Sequence, residues 1–375
     1  MRKSKKSVVL ISVLCVLVLL CSMGAGCSQP QSQPAGNGVG VTGQDEAAQG
    51  DESNQERVSI NLRLAHFWPA THPAEVVLVQ GWAKLMNEVT DGQITVTSFP
   101  GETLLASAEI YDGVQTGIAD IGMSCFSYTR GRFPLLEVFE LPGIIYNNSK
   151  VASKVAWEGI KELNPAEVQD TKLLMVLCTG PGALFTKVPV HQLEDIKHMT
   201  IRATGLSAKT LEALGAIPVA MPQADAYEAL SKGVVQANMS PLEVLEGWRH
   251  AEVTDYVIIA PFLYNTLFFM TINLDSWNKI PAHLQDVMLE ATEKFYDETC
   301  IGLWDMQNDS GIEFAIRETG QQVIELSGEE QARWIEIIEP IQDEFVDSMA
   351  KLGLDGAEAL QLTKDLADRY NEIYQ

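Results

Sequence analysis

The residue with the clearest chemical use is Arg202, in the stretch Met199-Thr200-Ile201-Arg202-Ala203-Thr204-Gly205. Ile201 closes a short apolar strand, Gly205 permits a tight exit, and a helix begins near Leu206. A guanidinium at such an edge presents a planar fork that matches a carboxylate or sulfonate, and a helix N-terminus favours the same negative charge. The plain alternative is a surface ion pair, since most arginines are solvated. Gln223 and Tyr227 follow on the same segment and can add a polar contact and a wall. Other chemistries lack their signatures: there is no phosphate loop, no His-Glu-x-x-His, no nucleophile elbow and no Cys-x-x-Cys. No catalytic residue, metal site or cofactor is expected.

The elements that would position these groups can be read from apolar periodicity. Ile60 to His66 alternates as a strand does, and Phe67-Trp68-Pro69-Ala70-Thr71-His72-Pro73 follows as a loop. Pro73 suits the first turn of a helix reaching Val89, and Ile94 to Phe99 is the next strand. This order predicts a parallel pair with its loop at the carboxyl edge, where open α/β sheets bind ligands. Phe67, Trp68 and His72 thus occupy pocket positions, although His72 reads equally well as a loop histidine without a ligand. A strand over 118–124 delivers Ser124, Phe126 and Tyr128 to the same edge. Lys172 to Cys178 is a strand, and Thr179-Gly180-Pro181-Gly182 opens a loop running to Thr186. Residues 199–238 read as strand, helix, strand, helix, strand, ending on Gly233 to Asn238, a compact α/β unit. The apolar run from Phe262 to Asn273 is a buried strand, and a helical pattern runs from Pro281 towards Glu318. Ser327 to Tyr374 gives two or three acidic amphipathic helices.

The ends and the charge set the address. Residues 1–26 read as a secretory signal: a basic Met1-Arg2-Lys3-Ser4-Lys5-Lys6, then an apolar run of 14 residues from Val8 to Cys21. A transmembrane helix needs about 20. Gly24-Ala25-Gly26 before Cys27 is similar to a lipoprotein processing site with Cys27 lipidated, with conventional cleavage nearby as the alternative. Residues 27–57 are Gln, Gly, Ser, Ala and acid, a flexible tether. Its Gly38-Val39-Gly40-Val41-Thr42-Gly43 matches the dinucleotide glycine pattern, but no strand precedes it and no helix follows. Removing residues 1–26 takes four basic residues and no acid, leaving 22 Lys+Arg against 50 Asp+Glu, a net of −28. That excludes nucleic acid as a partner, and it makes an isolated cationic pocket the feature to look for. Cys125, Cys178 and Cys300 remain, an odd number at wide spacing, so buried free thiols are expected.

Arg202, the Gly215-Ala216-Ile217-Pro218-Val219 turn, the Tyr227-Glu228-Ala229-Leu230 helix and Gly233-Val234-Val235 together resemble the extracytoplasmic solute-binding subunits of TRAP (tripartite ATP-independent periplasmic) transporters, DctP type. The likeness runs from about Leu62 to about Ile324. It implies an α/β fold of two lobes, a type II-like periplasmic binding protein with hinge strands and a long connecting helix. Lobe I would take residues 58–179 with a return over about 267–318, lobe II 180–266, and C-terminal helices 319–375. In that family the matching arginine pairs with the acid group of a small organic anion. Glu109 starts a helix whose counterparts approach the ligand, Asn265 matches a contact position, and Ser240 stands where many relatives have asparagine, with Glu243 and Trp248 close behind. Members that bind sialic acid carry a second arginine where this chain has Gly182. The departure either leaves one positive clamp or opens space for a bulkier, more apolar ligand.

The resemblance implies a receptor that delivers its ligand to a membrane permease, lipid-anchored at the periplasmic face and without enzymatic activity. The expected ligand is a mono-acid with an apolar or aromatic body, such as a 2-oxo acid, with a short hydroxy acid or sulfonate as alternatives. A ligand sensor for a signalling system and an envelope hydrolase are the other readings. The first differs in its partners, and the second needs a catalytic constellation that the sequence lacks.

Overall fold

A computed structural model describes residues 57–375. The signal segment, the tether up to residue 56 and Cys27 lie outside the described residues. Four strands open the chain: β1 (Ile60–His66), β2 (Ile94–Phe99), β3 (Ile121–Cys125) and β4 (Lys172–Cys178). Next come β5 (Gly182–Thr186), β6 (Thr200–Ala203), β7 (Ile217–Ala220), β8 (Ala237–Pro241) and β9 (Tyr256–Ile259), then β10 (Leu267–Ile272) and β11 (Gln322–Glu325). They form two sheets, in the orders β2-β1-β3-β10-β4 and β11-β9-β5-β8-β6-β7. Each sheet carries helices and defines one lobe.

The β1–β2 pair is parallel, as its helical crossover requires. In the second lobe β6 pairs parallel with both β7 and β8, so the strand–helix–strand–helix–strand reading holds. Its last strand is displaced, however. Gly233 to Gln236 is a turn that leaves Val234 57% exposed, and the ladder starts at Ala237. Two further segments differ from expectation. Gly182 to Thr186 is strand β5, paired with β8 and β9, where a loop was expected. Gln322 to Glu325 is a strand on the edge of the second sheet, in a stretch expected to be purely helical.

The chain crosses between sheets at Thr179–Pro181 and again between β9 and β10, and the two crossings bond to each other. Thr179 N donates to Thr266 O (3.1 Å), Thr266 N to Thr179 Oγ1 (3.2 Å), and Gly182 N to Tyr264 O (3.2 Å). The helical run after Pro281 comprises Ala282–Phe295, a π-turn at Tyr296–Cys300, Leu303–Phe314 and a second π-turn at Ala315–Thr319. It bonds to both lobes. Trp82 Nε1 donates to Thr292 Oγ1 (2.9 Å) in the first, while Asn308 accepts from Glu243 N (3.0 Å) in the second and donates to Thr179 O (3.3 Å) at the crossing. Three helices, Gly328–Ile338, Pro340–Lys351 and Gly356–Ile373, close the chain. Cys125, Cys178 and Cys300 are free and buried. No helix among the described residues is long and apolar enough to cross a membrane.

Candidate functional site

Strand register builds the site. Arg202 on β6 lies opposite Asn238 on β8, and Ser240, two residues on, shares the face of Asn238. Arg202 is only 1% exposed. Its Nε donates to Met221 O (3.0 Å) and its Nη1 to Ser240 Oγ (3.0 Å), which fixes the guanidinium and leaves Nη2 free of bonds among the described residues. No carboxylate of the described residues forms an ion pair with it. A buried charge of this kind is costly unless an anion meets it.

Behind Arg202, four side chains close a ring. Ser240 Oγ lies 3.2 Å from Gln223 Oε1 and 3.0 Å from Asn238 Oδ1. His250 Nε2 and Nδ1 each lie 3.0 Å from an amide, those of Gln223 and Asn238. A hydroxyl has one proton and a neutral imidazole one N–H. The ring is therefore satisfied when each member donates once to the next, in either direction, with one amide turned oxygen-first to His250. An imidazolium breaks it both ways, because Ser240 would face three donors, Arg202 included, with no acceptor for its own proton. Burial and the Arg202 charge hold His250 at about 3, against an ordinary 6.5.

This makes stability pH-dependent with a definite sign. Between pH 6.5 and 3 the unfolded chain binds a proton at His250 that the native chain refuses, so stability falls as pH drops through that window. His250→Gln is expected to flatten the decline in melting temperature between pH 6.5 and 5, removing up to about 1.4 kcal/mol per pH unit. Parallel slopes for wild type and variant would refute the neutral ring.

In front of Arg202 lies a small, nearly closed cavity lined by Phe67, Trp68, Tyr128, Trp248, Tyr264 and Phe268, with Gln223, Glu243 and three threonines as polar members. Arg202 is the one basic residue in its lining. Phe67 stacks on Trp68 (ring centroids 4.2 Å apart) and faces Trp248 at 6.1 Å, while Trp68 meets Phe268 edge-on at 5.2 Å. The lobes touch across it: Gln223 N donates to Tyr128 Oη (3.0 Å), and His72 Nε2 lies 3.1 Å from Glu243 Oε2. A larger cavity opens beside Gly205 and holds two basic residues, Arg130 and Lys209, but Lys209 is paired with Glu344 (2.6 Å) and three carboxylates, Glu137, Glu140 and Glu212, share the lining. It is less suited to an anion.

Of the expected residues, Arg202, Gln223, Phe67 and Trp68 line the cavity, and Ser240 holds Arg202 from behind. The others are placed differently. Tyr227 sits one turn beyond Gln223 on a helix leading away from the cavity, and its hydroxyl donates to Glu252 (3.1 Å) near solvent. Glu109 is an exposed, solvated carboxylate at the end of a 3₁₀ turn, outside the lining. Asn265 accepts from Gly180 N (3.1 Å) and donates to Phe139 O (3.1 Å), so its amide ties the crossing strands together. His72 stands behind Glu243 and faces an outer groove. Gly182 opens no space, because a Cβ there would come within 2.5 Å of the Tyr264 ring, which fills the position. His250, Asn238 and Tyr264 went unrecognised in the sequence. Correct bounds for β8 would have revealed Asn238, two residues before Ser240. Among the described residues no group of His, Cys, Asp and Glu side chains could hold a metal ion.

The model of bacterial extracellular solute-binding protein family 7, DctP, matches residues 64–348. A TRAP periplasmic solute-binding protein from Desulfovibrio salexigens, solved as an open complex, is 31% identical and superposes with a TM-score of 0.72 over 84% of this chain and 97% of that one. A marine metagenome TRAP solute-binding protein specific for aromatic acid ligands, in complex with metahydroxyphenylacetate, is 28% identical, with a TM-score of 0.79 over 83% and 99%. The ectoine/5-hydroxyectoine-binding periplasmic protein UehA of Ruegeria pomeroyi is 26% identical over 73% of this chain and 81% of its own. With the two lobes, the crossing strands and the cleft cavity in place, the chain belongs to bacterial extracellular solute-binding protein family 7, the DctP family.

Proposed function

We propose that this protein is the extracytoplasmic receptor of a TRAP transporter, that it binds a small monocarboxylate with an apolar or aromatic body, and that it hands this ligand to a membrane permease. The observation behind the reading is Arg202: a guanidinium 1% exposed, without an ion pair among the described residues, in a cavity whose other walls include six aromatic rings. An acid group would complete the Nη2 side of its fork, and the rings would receive the body. The relative specific for aromatic acids supports that body. Contacts from both lobes that exist only in the closed state let the ligand shift the open–closed equilibrium. Capture requires no turnover. The protein would work in the periplasm, with Cys27 lipidated and residues 27–57 as the tether between lipid and receptor.

A thermal-shift panel on residues 28–375 tests this, using mono- and dicarboxylates, 2-oxo acids, sulfonates and sugar acids, with cations and neutral sugars as controls. A ligand at about 100 times its Kd adds about 2.7 kcal/mol, readily seen as a raised melting temperature. The expected result is a shift confined to monocarboxylates with apolar or aromatic bodies. A shift with a neutral sugar or a cation and none with any acid would make Arg202 structural and overturn the reading.

A further inference from the structure

Two buried His–Glu pairs occur among the described residues, and they are satisfied differently. Glu75 is complete. Its Oε2 meets His66 Nε2 (2.8 Å) and accepts from Ser98 Oγ (2.9 Å), and its Oε1 accepts from Gln80 Nε2 (2.7 Å). Glu243 is 4% exposed, yet only Oε2 has a partner, His72 Nε2 at 3.1 Å. Among the described residues Oε1 accepts nothing, and it is not one of the atoms sealed in protein without a partner. A carboxylate needed only to join the lobes would be closed as Glu75 is.

The direction of the free oxygen follows from its neighbours. Oε2 and His72 lie against Gly247, where a Cβ would come within 2.9 Å of each, and both His72 and Gly247 line the outer groove. Glu243 lines that groove and the Arg202 cavity, whereas neither His72 nor Gly247 lines the latter. With Oε2 on the groove side, the geometry points the remaining oxygen towards the cavity, the other space that Glu243 lines. There it opposes any anion held by Arg202 unless the ligand offers it a proton, since like charges in a site of low dielectric repel strongly. Trp248, on the same wall, holds a buried indole N–H with no acceptor among the described residues. A hydroxyl donates and accepts, so it serves both groups. An ammonium serves only one.

Building on the receptor reading, we propose that the ligand is a hydroxylated monocarboxylate whose hydroxyl, away from the acid group, donates to Glu243 Oε1. Glu243 is then the residue that selects hydroxy acids over their unsubstituted parents. Isothermal calorimetry tests this with benzoate and phenylacetate, their 3- and 4-hydroxy derivatives, the matching methoxy acids as size controls without a donor, and 3-(aminomethyl)benzoate as the ammonium arm. The wild type is expected to bind at least one hydroxy acid roughly tenfold or more tightly than its parent, with the methoxy analogue losing that advantage. In Glu243→Gln the ratio of hydroxy acid to parent should shrink below about threefold. Equal binding of hydroxy acids and parents by the wild type overturns the proposal without any variant. So does a Glu243→Gln protein that weakens all acids alike with the ratio intact, which is the signature of a plain latch, or a preference for the ammonium acid. The two readings fail separately. If acids bind through Arg202 without a hydroxyl preference, the receptor reading stands and this one falls; if no acid binds, both fall.

Discussion

Arg202→Ala is expected to abolish measurable binding of every acid that raises the melting temperature of the wild type, while the protein stays folded. Each charge-assisted hydrogen bond to a desolvated carboxylate contributes about 1.5–3 kcal/mol, and a fork donates two. Their loss corresponds to more than roughly 100-fold in Kd. Stability should change little or rise, because the substitution removes a buried charge that the described residues do not neutralise. Of the two acceptors it deserts, Ser240 retains the polar ring, and the Met221 carbonyl belongs to a half-buried residue that water can reach. Arg202→Lys sharpens the test. An ammonium keeps the charge but cannot bond Met221 O, Ser240 Oγ and a ligand with one planar group, so binding should still fall roughly 10- to 100-fold. Calorimetry with the best acid from the panel, alongside a melting curve, decides the matter. Ordinary affinity in Arg202→Ala would end the assignment.

The parts of this site that were legible in the sequence are those fixed by local chemistry. Arg202 stood out because an arginine followed two residues later by Thr-Gly, at the end of an apolar run, marks the edge of a strand. Phe67 and Trp68 stood out because a strand leading into a loop and a Pro-initiated helix places that loop at the sheet's carboxyl edge. What stayed hidden depends on tertiary pairing. Ala237-Asn238-Met239-Ser240-Pro241 has little intrinsic preference for a strand, yet it lies between β5 and β6 and takes its conformation from them. Val234 and Val235 have that preference and form a turn instead. With β8 misplaced, Asn238 could not be set opposite Arg202. His250 gave no signal at all: it reaches the ring from a 3₁₀ turn (His250–Glu252), and only the fold brings it to Gln223 and Asn238. Tyr227 and Glu109 lie outside the cavity for the opposite reason, since residue type and neighbourhood suggested a site whose lining does not include them.

Gly182 shows how a glycine can be misread when its partner is distant in sequence. Followed in the chain by Ala183-Leu184-Phe185 and preceded by Gly180-Pro181, it read as part of a loop and as a vacated arginine position. It is the first residue of β5, its N–H bonded to Tyr264 O, with the Tyr264 side chain folded over the place a Cβ would occupy. Gly182→Ala should therefore have a large effect for its size. The added carbon would lie 2.5 Å from Tyr264 Cδ1 and 2.9 Å from Tyr264 Cβ, and neither atom is the far end of a flexible chain. Overpacking of this kind costs about 1–3 kcal/mol, a fall of roughly 2–10 °C in melting temperature. Because Tyr264 also lines the Arg202 cavity, relieving the clash moves that wall, and acid binding should weaken about tenfold or more. A double-mutant cycle isolates the cause. In a Tyr264→Ala background, which is destabilised by its own lost packing and keeps the Cβ contact at 2.9 Å while losing the ring contact at 2.5 Å, adding Gly182→Ala should cost less than it does in the wild type. If the alanine costs the same in both backgrounds, the glycine is required by something other than the tyrosine ring, and this wall of the cavity is not set by their contact.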